Sequence, residues 1–450
     1  MLRRLPAMFV VIVVVSSACS SSTLPTTSTS PPSTTSAPTT PSATTLPPNG
    51  TTEPGTGLDP ELVESLRAEV DALSRIAEEI RGLAFIEEPT VVFLTETELA
   101  ARIVADFEAE LEPGELEWTE AWFDLLGLLD PDMQPLAEVY ADLLSEQVVG
   151  VYEPETKELL VRADTANLSV FSKTTVVHEM IHALSDQHFG VGERLEALVE
   201  EDHLDEASAY ISLLEGEATY FQFVYIADHL SPSEAVALGT EIIGSDSTVL
   251  DRTPFVISEP LLFRYEAGFQ LVLDIIEDLG IEGINEALRS PPLTTEHVAH
   301  PAAYFDEEPA VQVVLPSIVA PGYEVVEEST WGELGLLATF GQVIGEGAAS
   351  QIGGGWGGDT YRVLYNGSDV IFLFSYRADT DRDATEVAEA FVDLATNSMD
   401  AGDPTDGEDS STTFSGEDFA FVEVSGDSVV FVAASDPAAG EAAAGALNPP

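Results

Sequence analysis

The chain is poor in cysteine, in lysine and in positive charge of any kind. Its 450 residues include 1 Cys, so no internal disulfide can form, and the fold relies on core packing and on whatever metal it holds. Lys+Arg number 16 against 80 Asp+Glu, a net charge of -64, and lysine stands only at Lys157 and Lys173. A surface this acidic repels nucleic acid and anionic lipid, and it reads as a solvated face suited to solubility or high salt. The one glycine-dense stretch, Ile352 to Asp359, is followed by no lysine, which excludes a phosphate-loop reading. Histidine is also scarce, with 7 in all, so the positions of those present are informative.

The apolar run Met8 to Val15 follows Arg3 and Arg4 and ends in Ser16-Ser17-Ala18-Cys19. It is too short for a permanent membrane span and reads as a signal peptide over residues 1–18. Cys19 stands where a bacterial lipobox places its acylated cysteine, with Ser16 departing from the usual branched residue; cleavage after Ala18 and free secretion is the alternative. Either route exports the protein to the cell surface or beyond. Residues 19–57 are mostly Ser, Thr and Pro without apolar periodicity, the composition of an extended, disordered tether.

Chemistry is declared at His178-Glu179-Met180-Ile181-His182. On a helix, residues four apart share a face, so His178 and His182 can hold one metal while Glu179 leans toward its open position as general base. The surrounding segment from Phe171 to Leu184 is largely apolar, and two imidazoles and a carboxylate buried in it without partners would cost several kcal/mol. A bound cation removes that cost.

Two positions compete as third ligand. Glu215, in a second apolar-faced helical pattern, completes a His₂Glu set of the zinc-hydrolase kind that leaves a place for water. Gly216 and Ala218 are small enough for close approach to the first helix. Glu217 lies about 200° around the helix from Glu215, so the two cannot face one metal. His188 falls six residues after His182, the spacing of HExxHxxGxxH, but Ser185 occupies the position where that form has a turning Gly.

Ala183-Leu184 and Asp186 after the pentad resemble the helix of gluzincin metallopeptidases. The string from His178 through Gln187-His188-Phe189, with Glu215-Gly216-x-Ala218, is similar to a group of largely uncharacterised bacterial secreted metallopeptidase-like proteins. Gly150-Val151-Tyr152-Glu153-Pro154, Thr294-Thr295-Glu296-His297-Val298-Ala299-His300-Pro301 and Gly355-Trp356-Gly357-Gly358-Asp359 extend the likeness, which runs from about Arg81 to about Val432. Glu153 and His297 stand where Asp and Gln are expected. The resemblance implies zinc on His178, His182 and Glu215 and a peptide or protein substrate.

Residues 147–162 read as two strands around a turn just before the HExxH helix, placed either to pair with substrate backbone or as a plain structural hairpin. Tyr220, Tyr265, His297, His300 and Tyr304 are chemically able to donate to an oxyanion, and Asp186 either orients His182 or ends its helix. The expected fold is α+β: a zincin-like, mostly helical catalytic domain over 58–350 with a small substrate-edge hairpin, a C-terminal αβ subdomain over 351–436 and a disordered tail over 437–450. The expected function is an exported, lipid-anchored zinc endopeptidase. The alternatives are a zinc amide hydrolase of cell-wall peptide and a non-catalytic surface binding lipoprotein.

Overall fold

The structure is a computed structural model that describes residues 58–146, 148–163, 167–244, 248–318, 320–407 and 410–447. The expected signal peptide, Cys19 and tether lie outside these residues. Among the described residues no helix is long and apolar enough to cross a membrane.

The fold is α+β. Helix α1 (Pro60–Arg81) opens with Asp59 accepting the Glu61 N–H, and Gly82 closes it at φ 73; it buries the stripe Leu66, Val70, Leu73 and Ala77. Strand β1 (Thr90–Leu94) leads into α2 (Glu96–Glu110), which starts in a reciprocal Thr95–Glu98 capping box. Then come α3 (Glu115–Leu125), α4 (Leu136–Glu146), and the hairpin of β2 (Gly150–Glu153) and β3 (Glu158–Arg162). In the first sheet β3 lies centrally, parallel to β1 and antiparallel to β2, which leaves β2 as an edge.

Five helices follow: α5 (Val170–Phe189), α6 (Val191–Glu200), α7 (Leu204–His229), α8 (Pro232–Gly244) and α9 (Phe255–Leu279), with α10 (Glu282–Arg289), α11 (Thr295–Ala299) and α12 (Pro301–Phe305) behind them. The crossing of α7 over α9 is backbone on backbone. A Cβ on Gly216 would meet the Gly268 carbonyl oxygen at 2.1 Å, and one on Gly268 would meet Ser212 O at 2.0 Å. Gly216 therefore admits α9; the sequence reading had given its smallness to the HExxH helix.

The remainder builds a sheet of seven strands around β4 (Glu324–Ser329), the helices α13 (Gly332–Ile344) and α14 (Glu346–Gly353), then β5 (Trp356–Tyr365), β6 (Val370–Ala378), α15 (Asp381–Asn397), β7 (Thr405–Asp406), β8 (Ser411–Ser415), β9 (Phe419–Ser425), β10 (Ser428–Ala434) and α16 (Pro437–Leu447). Strand order is β4-β5-β6-β10-β9-β8-β7. This sheet starts upstream of residue 351, where the expected C-terminal subdomain begins. Glycine at 357 and 358 does not interrupt β5. It is needed there, because a Cβ on Gly358 would strike Val311 O at 2.1 Å. The tail expected to be disordered folds as α16 through Leu447, with Gly440, Ala443 and Ala444 buried; a Cβ on Gly440 would meet the Phe419 ring at 2.5 Å. One core packs α1, α5, α7 and α9 on the small sheet, and a second joins α2, α3, α4, α13 and α15 to one face of the large sheet, with Trp122 stacked on Phe372.

Candidate metal centre

Helix α5 is fixed at both ends, by Ser169 accepting the Ser172 N–H and by Gly190 in the left-handed region at φ 69. Between them the helix buries every residue from Thr174 to Asp186. His178 and Glu179 are 0 % exposed and His182 1 %. Helix α7 lies across it and presents Glu215, 3 % exposed. His178 Nε2 is 3.1 Å from Glu215 Oε2, His182 Nε2 is 3.0 Å from His178 Nε2, and His182 Nε2 is 3.6 Å from Glu215 Oε2.

Three donors bound tetrahedrally at about 2.0–2.1 Å would stand about 3.3–3.4 Å apart, so these separations are those of a ligand set. Among the described residues, His178, His182 and Glu215 are the group that could hold a metal ion. Burial holds the His178 imidazole below its ordinary range, against the pull of Glu215. Burial pushes the Glu215 carboxyl up, but the histidines outweigh it and keep the group below the usual carboxylate range. A neutral imidazole beside an ionised carboxylate is the protonation state that a divalent cation takes.

Glu179 feels the Glu215 charge and is held from the hairpin side. Its Oε2 accepts the backbone N–H of Tyr152 at 2.8 Å, and its Oε1 is buried with no hydrogen-bond partner. Burial, reinforced by the Glu215 charge, raises its pKa well above the carboxylate range. The Tyr152 N–H that anchors it belongs to edge strand β2, so the hairpin positions the carboxylate as well as lying beside the helix.

The other sequence candidates separate cleanly. Glu217 turns to the far side of α7, where it pairs with Arg81 Nε at 2.5 Å and takes the Ser185 hydroxyl on both oxygens at 2.9 Å. His188 is exposed and bonds the Ala84 carbonyl at 2.8 Å; it is no part of the ligand set. Asp186 binds the Tyr152 hydroxyl, Lys157 Nζ and the Gly192 N–H, at 2.8, 2.6 and 2.9 Å, so it ties the hairpin and the start of α6 to α5. Neither role foreseen for Asp186, orienting His182 or ending the helix, covers this.

Of the oxyanion candidates, Tyr265 alone is placed at the centre. Its ring centroid is 6.4 Å from that of His178 and its hydroxyl is within hydrogen-bonding reach of Glu215. Burial and the charges of Glu215 and Glu179 raise its pKa, which keeps it a donor. His297 accepts the Leu293 N–H on Nδ1 and donates from Nε2 to Glu308 O, at 3.3 and 2.8 Å, inside the fold. His300 binds Glu333 at 3.0 Å and the Tyr304 hydroxyl donates to Ser290 O at 3.0 Å. Tyr220 meets the Phe221 ring edge-on.

Sequence reasoning missed Arg264, which precedes Tyr265 on α9 and faces Glu215. No spacing marks it; only the glycine crossing of α7 and α9 brings it there.

Residues 322–444 match a domain of unknown function, DUF8575, which covers the large sheet and none of the residues at the metal centre. No curated protein and no solved structure matches the chain.

Proposed function

We propose that the chain is a zinc-dependent peptidase with a zincin-like catalytic domain, exported and held to the membrane by a lipid on Cys19. The observation that carries this is the convergence of His178, His182 and Glu215 with the partnerless Oε1 of Glu179 beside them. Two imidazoles and one carboxylate suit zinc, whereas calcium and magnesium take oxygen ligands. A structural zinc would be closed by a fourth protein ligand and has no use for a buried base.

When bound, zinc lowers the pKa of the water it holds and polarises the scissile carbonyl. The chain's own residues supply the rest. Tyr152 N–H fixes Glu179 through Oε2, which leaves Oε1 to take the proton from the attacking water and pass it to the leaving amine. The Tyr265 hydroxyl, kept protonated, is the donor for the oxyanion. The zincin-like reading is supported by edge strand β2 beside the HExxH helix and by a glutamate from a second helix.

The test is zinc content of the protein purified without chelators, in wild type, His182→Ala and Glu215→Ala. One zinc per chain is expected in the wild type and none in either variant. A zinc-free wild type sinks the proposal.

A further inference from the structure

A cavity of about 240 Å³ lies against Arg264, walled by α2, α3, α4, α7, α9, α13 and the edge of the large sheet. Its lining is mainly apolar, with Phe107, Trp122, Tyr140, Ile211 and Trp331 among the walls. An apolar cavity of about 150 Å³ is enough for a benzene ring, so this one takes an aromatic or branched side chain with its backbone.

Two buried donors at this cavity have no acceptor: Trp122 Nε1 and Arg264 Nε. Arg264 forms no salt bridge among the described residues, and the strongest charge acting on it is Glu215. Once a divalent ion sits on two imidazoles and Glu215, that carboxylate is committed to the ion. The guanidinium is then a buried cation without an anion, a state that proteins avoid. Even with Glu179 ionised, the loaded centre carries net positive charge in a chain whose net charge is -64. Two acids on the cavity wall are engaged elsewhere. Asp205 is bonded to the Thr295 N–H and hydroxyl, and Glu327 takes the Tyr361 hydroxyl. Asp205 also lies ten residues, about 15 Å, down α7 from Glu215.

We infer that this cavity receives the last residue of a peptide, an apolar one, with its free carboxylate on Arg264. This rests on the peptidase reading and narrows the endopeptidase expected from sequence to release of a carboxy-terminal apolar residue. The planar guanidinium fork matches a carboxylate, and an amide in its place would leave the charge unanswered.

The experiment is direct binding to the purified chain, by calorimetry, of N-acetyl-phenylalanine and of N-acetyl-phenylalanine amide, with zinc measured on the same samples. The acid should bind at least tenfold tighter than the amide. Arg264→Gln should abolish that preference, and Ser208→Phe, which fills the cavity from α7, should weaken both ligands at least tenfold. Equal binding of acid and amide by the wild type, or failure of both to bind, overturns the inference, and neither result depends on a variant folding. Zinc at one per chain with no preference for the acid leaves the peptidase reading standing alone. Preference for the acid in a zinc-free protein does the reverse.

Discussion

Asp359 in the sheet half and Glu179 and Glu215 at the metal centre are all buried acids, and their surroundings answer them by opposite means. In the sheet half Asp359 is 3 % exposed yet accepts N–H groups from Trp331 and Gly332 and from Trp356 Nε1, the last two at 2.9 and 2.7 Å. Those donors belong to the protein and come with the fold. In the helical half Glu179 has one such donor, and His178 and Glu215 have chiefly one another. A buried polar group left to its neighbours' charges costs stability unless something from outside completes it. Asp359 is answered by donors the fold supplies, whereas His178, His182 and Glu215 form a group that could hold a metal ion.

The sharpest way to break that comparison is to remove the ion. Binding at about a thousand times the dissociation constant stabilises a folded state by about 4 kcal/mol. Chelation should therefore lower the melting temperature and speed amide exchange in α5 and α7, while β6 and β10 keep their protection. Equal acceleration in both halves would show that the ion matters to neither in particular. Next in size is Glu179→Gln, which keeps the three ligands. Zinc content should stay at one per chain while turnover of a peptide library falls by about 10²–10⁴. Unchanged turnover would remove Glu179 from the chemistry.

A third change separates packing from ligation. Gly216→Ala adds a Cβ where the Gly268 carbonyl oxygen lies 2.1 Å away, so α9 must retreat from α7. Overpacking of this kind costs about 1–3 kcal/mol, more than the gain in helix propensity of about 1 kcal/mol. Denaturant unfolding should show the loss with zinc still bound, because Glu215 stays on its helix while Tyr265 and Arg264 move. Loss of zinc instead would mean that α9 also holds the ligand set together.

The two halves differ as much in what the sequence reveals. His178, Glu179 and His182 were legible because helical spacing turns a pattern of letters into a shared face, and Glu215 because it heads a Glu-Gly-x-Ala string; α1 and α2 follow their caps and apolar stripes and α5 its caps, whereas α7 has no side-chain cap. Helix α9 runs from Phe255 through Pro260, where burial of Val256, Ile257 and Phe263 outweighs the tendency of proline to break a helix. Glycine in the sheet half marks close packing. At Gly358 it marks a neighbouring backbone at van der Waals range, and at Gly440 an aromatic ring, and neither neighbour is near in sequence. Strand β4 escaped for a related reason: its sequence Glu-Val-Val-Glu-Glu-Ser alternates weakly, and its pairing with β5 spans a whole helical pair. Arg264 carries no local pattern at all; a position set by a helix crossing can be read only once the crossing is known.

The smallest effect concerns pH and Asp359. Burial raises Asp359 from the usual 3.8 to about 6, against the pull of the Trp356, Trp331 and Gly332 donors. The folded state therefore holds this proton to higher pH than the unfolded chain does. Stability from it is complete below about pH 4 and is lost as pH rises through about 6, by about 3 kcal/mol at most. Asp359→Asn cannot titrate, so its stability should fall less than that of the wild type between pH 4 and pH 6, with zinc content at neutral pH unchanged. Glu115 and Glu259, which burial raises to about 7, keep their own share, and a residual decline between pH 6 and pH 7 should survive the substitution. Parallel stability curves for the two proteins across pH 4 to 6 would mean that the three donors win over burial. Asp359 would then be ionised throughout, a buried carboxylate fully answered by three N–H donors.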